Sequence, residues 1–162
     1  MSALRILSLL LTAALAASAV AQTKPAADKP ADTMQALREK LQADKKLLVA
    51  ANMDLTEAEA KAFWPIYEAY QKELGRINDQ IATTLVSYAK SYNANTLTDA
   101  RATQLLEQSI AIDEAETRLR RSFMQKLGKV LPGRKVARYM QLENKVRALV
   151  RYEIAGEVPL AR

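Results

Sequence analysis

LTEAEAKAFWPIYEAYQKELGRINDQIATTLVSYAKSY, residues 55–92, decides the fold. Its large apolar side chains are Phe63, Ile66, Tyr67, Tyr70, Leu74, Ile77, Ile81, Leu85, Tyr88 and Tyr92. They recur at intervals of mostly three and four, the spacing that an α-helix stacks on one face. The start is marked as well. Thr56 can accept from the backbone N–H of Glu59 while Glu59 reaches back to the amide of Thr56, the reciprocal arrangement of a capping box. Glu57 and Glu59 also lie at the positive end of the helix dipole. Pro65 deletes one backbone hydrogen bond and crowds the preceding turn. The expectation is a bend between Ala62 and Pro65, or else a short helix, a break and a new helix with Pro65 in its first turn.

Working outward, Met34, Leu37, Leu41 and Leu48 recur at helical spacing from about Thr33 to Ala51, with Leu47 and Val49 beside them. Asn52-Met53-Asp54 is expected to break this first helix. Downstream, 91–96 reads as a polar turn. A third helix should open with Thr98 as its cap and carry Ala102, Leu105, Ile112, Leu119, Phe123, Leu127 and Val130 to the stop at Pro132-Gly133. A fourth should run from about Arg134 to Ala155 with Val136, Tyr139, Leu142, Val146, Leu149 and Ile154 facing inward, ended by Gly156. No period-2 segment is long enough for a strand. The prediction is all-α: a long helical hairpin made of the second and third helices, braced by the first and fourth. Stripes one seam wide bury little alone, so a homodimer is expected to add a second layer.

The N-terminus reads as a leader. Arg5 precedes the apolar run Ile6–Ala17, and Ala19-Val20-Ala21 supplies a small-residue cleavage site, so residues 1–21 are expected to be a Sec signal peptide removed after Ala21. A membrane anchor would need about 20 apolar residues. Residues 22–32 hold two Pro and no large apolar side chain, the composition of a flexible tether, leaving 33–162 as a single helical domain.

Composition narrows the chemistry. The chain has no Cys and no His, so neither disulfides nor the commonest general base and metal ligand are at hand. Met34, Met53, Met124 and Met140 are scattered, and no metal or other cofactor is expected. Asp113, Glu114 and Glu116 read as a solvated ion-pair face with Arg118 or Arg121, and Glu143 and Glu153 likewise beside their basic neighbours. No nucleophile–base pair and no Gly-rich phosphate loop is present, so the chain is expected not to be an enzyme. The formal net charge is +6, and eleven Lys or Arg stand against Glu143 alone between Arg118 and Arg151. For an exported chain this points away from nucleic acid and towards acidic polypeptides or, weakly, an anionic membrane surface.

Two helix starts share a motif: Leu55-Thr56-Glu57-Ala58-Glu59 and Leu97-Thr98-Asp99-Ala100-Arg101. With a signal peptide and no Cys, this resembles the Spy/CpxP group of bacterial periplasmic proteins, marked by paired LTxxQ motifs; Glu59 and Arg101 stand here at the motif's last position. The resemblance implies a periplasmic, thin, cradle-shaped helical homodimer. It would bind non-native envelope proteins without ATP, or act as adaptor to the periplasmic domain of an envelope-stress sensor. The candidate partner-binding residues are the aromatics Phe63, Trp64, Tyr67 and Tyr70 with the basic rim Arg118, Arg121, Arg134, Lys135 and Arg138. Phe63 and Trp64 are neighbours about 100° apart on the helix, so one of them is expected at the edge of the apolar face.

Overall fold

Thr56 caps a helix as its spacing predicts: its hydroxyl accepts from Glu59 N, and Glu59 Oε2 accepts from Thr56 N at 2.8 Å. The computed structural model describes residues 44–161. The leader, the tether and Met34, Leu37 and Leu41 of the expected first helix lie outside the described residues. Four helices follow in order: α1 (44–53), α2 (Glu57–Asn93), α3 (Asp99–Leu127) and α4 (Gly133–Glu157), with no strand among the described residues.

α2 is one continuous helix through Pro65, so the broken alternative is not taken. Pro65 is exposed, and the Lys61 carbonyl that it leaves without a donor is on the wet side of the helix. The turn into α3 starts later than expected, after Asn93, and passes through Asn95 in the left-handed region at φ 53°. Thr98 then caps α3 by accepting from Arg101 N. α2 and α3 pack antiparallel as the expected hairpin, with Tyr70 stacked on Phe123 at 4.2 Å near one end and Ala89 and Leu105 buried near the other. α4 returns antiparallel to α3 and parallel to α2. Asp113–Arg151 and Arg120–Asn144 set the first register; Glu59–Lys135 and Tyr88–Pro159 set the second.

Burial is uneven along this bundle. Val49, Met53, Phe63, Tyr67, Tyr70, Phe123, Leu127, Leu131, Val136 and Tyr139 form one cluster where all four helices meet, here termed the head. Tyr139 sits at its centre, its ring 5.4 Å from those of Phe63 and Phe123 and 6.1 Å from Tyr67 in edge-on contacts. Beyond it α2, α3 and α4 continue as an arm whose buried apolar residues are Ile77, Ala89, Leu105 and Ile112.

Several expected positions differ. α1 buries Val49 and Met53, four apart, while Leu47 and Leu48 are exposed. Met53 is therefore the last core anchor of α1 rather than part of a break. Asp54 makes the break at φ 44°, a conformation that Asp tolerates better than most residues. Leu149 is exposed instead of inward, because it lies two positions from both Arg147 and Arg151, the side chains that face α3, and so on the opposite side of α4. Gly156 does not stop α4, which runs to Glu157. Pro159 stops it by forcing Val158 into an extended conformation, φ −88° and ψ 112°.

Candidate functional site

Four side chains from three helices close a hydrogen-bonded ring in the head. Lys45 Nζ (α1) lies 2.8 Å from Glu143 Oε2 (α4) and donates to Gln71 Oε1 (α2) at 3.1 Å. Gln71 Nε2 donates to Glu143 Oε1 at 3.0 Å and to the Tyr139 hydroxyl at 3.3 Å, and that hydroxyl donates to Glu143 Oε1. Glu143 is only 5% exposed, so its charge is held by one cation and two neutral donors rather than by water. Burial first, and the Glu143 charge second, push the Tyr139 phenol far above its ordinary value of 10. The ring is largely buried and links α1, α2 and α4 side chain to side chain.

A second buried carboxylate joins α3 to α4. Glu116, 4% exposed, has Arg147 Nε 2.6 Å from Oε1 and Arg151 3.2 Å from Oε2. The Arg147 contact is an ion pair off the line of a hydrogen bond, leaving its buried Nε without an acceptor. Arg151 also binds Asp113, which is the main cause of its raised pKa. Both buried carboxylates correct the expectation of a solvated ion-pair face; Glu114 keeps it, pairing with Arg118 at 3.3 Å in the open, and so does Asp113, half-exposed against Arg151. Sequence phase carried the signal. Glu116 falls in step with Ile112, Leu119 and Phe123, and Glu143 in step with Val136 and Tyr139.

The expected partner-binding aromatics divide. Phe63, Tyr67 and Tyr70 are enclosed in the head and offer no surface to a partner, a correction that follows from α1 and α4 closing over them. Trp64 is the one at the edge. It is half-buried, and Lys46 Nζ covers its ring at 5.2 Å while also pairing with Glu68. Burial raises the Tyr67 and Tyr70 phenols above 10, and among the described residues the Tyr67 hydroxyl has no partner.

The basic residues divide too. Lys135 Nζ bonds Glu59 Oε2 at 2.5 Å and the Asp54 carbonyl at 2.7 Å, while Arg138 reaches Asp54 Oδ2 at 3.4 Å. These two tie α4 to the α1–α2 turn. Arg118, Arg121 and Arg134 are exposed. The Leu55 and Leu97 of the two cap motifs are half-buried, Leu55 against the head cluster.

Lys135, ahead of the Thr56 amide, holds the Glu59 carboxyl below its ordinary 4.5. A depressed folded-state value means that this link stabilises above the unfolded pKa and is lost as pH falls through the lower, folded one. A carboxyl-carbon NMR titration should place the Glu59 midpoint under 4.5 and, in Lys135→Met, closer to it; identical midpoints in the two proteins would refute the link.

Apolar surface remains open elsewhere. Leu106 (61% exposed) and Ile110 (52%) are one turn apart on α3, and Tyr152 (77%) projects from α4. Asp113, seven residues from Leu106 and so on the same flank, binds Arg151, which brings Tyr152 to the level of Ile110 on the outer side of the arm. Among the described residues no group of three or more Asp, Glu, His or Cys could hold a metal ion, and no helix is long and apolar enough to cross a membrane. No protein-family model, no curated protein and no solved structure matches this chain.

Proposed function

We propose that the chain is a periplasmic protein-binding module that holds non-native polypeptides without a nucleotide. The observation that carries this reading is the outer flank of the arm, where Leu106, Ile110 and Tyr152 stand open to solvent while the aromatic core is closed. Non-directional apolar contact of this kind is tolerant of client sequence. Arg121, exposed on the same helix, adds long-range attraction for acidic segments, which raises capture rates at low salt. The cap motifs at Leu55-Thr56 and Leu97-Thr98, with their resemblance to a periplasmic family of such binders, support the same reading.

The purified protein should slow aggregation of a chemically denatured client in the absence of ATP. Leu106→Ser with Ile110→Ser should abolish most of that protection. These side chains are at the surface, so the double variant should unfold within about 0.5 kcal/mol per site of the parent. Absence of protection at several-fold excess of the parent protein, or full protection by the double variant, would overturn the assignment.

A further inference from the structure

We propose that the α3–α4 end of the head docks on anionic lipid bilayers, by a surface separate from the arm's apolar flank. Between Glu116 and Glu143 the chain has no acidic residue, and this stretch forms the end of α3, the turn 128–132 and the start of α4. Its cations are in two states. Lys135 and Arg138 are engaged with Glu59 and Asp54, and Arg120 with Asn144. Lys126, Lys129 and Arg134 are exposed at the tip, and no ion pair or side-chain hydrogen bond engages them among the described residues; Arg121, two turns below, is in the same state. Among the described residues the acids at this end are those of the α1–α2 turn. Asp54 and Glu59 are already bound, which leaves Glu57 against the free cations.

Charge and position select the partner. Lys126, Lys129 and Arg134 come from the end of α3, the turn and the start of α4, so that successive segments at one end of the bundle each offer a free cation to an anionic plane of headgroups. Half-buried Val130, in the turn between Lys129 and Arg134, supplies apolar contact at the headgroup boundary. No described helix can span the bilayer, so the contact is peripheral. Each cation near an anionic surface strengthens partition about fivefold, and three together roughly a hundredfold. Salt screens that attraction.

The test is co-sedimentation of the full chain with vesicles of phosphatidylcholine alone and of phosphatidylcholine mixed with phosphatidylglycerol. The parent should favour the anionic vesicles, less so as salt rises. Lys126→Gln, Lys129→Gln and Arg134→Gln combined should weaken that binding roughly a hundredfold. Lys72→Gln, Lys90→Gln and Arg101→Gln combined remove the same charge from other parts of the bundle and should leave binding nearly unchanged. Any binding through the apolar run Ile6–Ala17 is common to all variants and both vesicle types, and cancels. Circular dichroism melts confirm that both triple variants fold. Equal losses in the two variants would reduce the effect to net charge and overturn the proposal. So would equal binding to both vesicle types, or retention on immobilised polyglutamate with none on vesicles.

Discussion

Tyr139→Ala should lower the free energy of unfolding by about 3–5 kcal/mol, the range for deleting a large buried ring. The expectation rests on position. Tyr139 is fully buried and its ring touches aromatic side chains of α2 and α3, so its loss opens a cavity that four helices border. Collapse into that space would have to move Phe63, Tyr70 and Phe123 together, and close-packed interiors relax only in part. Tyr139→Phe separates ring from hydroxyl. It keeps the packing but removes one donor from Glu143 and one acceptor from Gln71, at a cost of roughly 1–3 kcal/mol. Urea titrations of the two variants measure both numbers. A loss below about 1 kcal/mol for Tyr139→Ala would mean that stability does not reside in the head.

Glu143→Ala should cost as much, about 3–5 kcal/mol, for an electrostatic reason. It leaves the Lys45 ammonium, whose side chain is 16% exposed, without its counter-charge, and strips Gln71 and Tyr139 of their shared acceptor. Replacing both charges by apolar groups, Lys45→Met with Glu143→Leu, should recover most of that loss, because desolvating the pair is itself expensive. A double-mutant cycle then gives a large coupling energy for two residues 98 apart in sequence. Additive single and double effects would show that the ring does not act as a unit. Added salt should leave this pair almost untouched, in contrast to the exposed Glu114–Arg118 pair.

Local chemistry was legible in the residues. Thr56, Glu59 and Thr98 announce their caps within four positions, and the stripe from Phe63 to Tyr92 is long enough to determine α2 even with Pro65 inside it. The four-helix, all-α layout follows from those signals. What escaped depends on distant neighbours. Glu143 resembles any carboxylate in a basic helix until Lys45 and Gln71 arrive from other helices, and Glu116 does so until Arg147 and Arg151 close on it. Leu48 and Leu149 were misplaced because periodicity shows which face is apolar, while the presence of a covering helix is a tertiary fact. The aromatics of α2 were candidates for a partner surface for the same reason: a stripe of Phe and Tyr reads alike whether a neighbouring helix or a foreign chain covers it. Met53 and Asp54 show how narrow the margin is, since moving a helix end by two residues, from Ala51 to Met53, turns a loop methionine into a core anchor.

Concentrating the aromatic core at one end grades the molecule's resistance to local opening. Amide groups of α2, α3 and α4 beyond Gln71 are backed by few buried side chains, so the hairpin can fray from its far tip while the registered end stays shut. Hydrogen exchange should therefore be fastest toward that far tip, where Leu106 stands open and Ala89 and Leu105 are the buried apolar contacts.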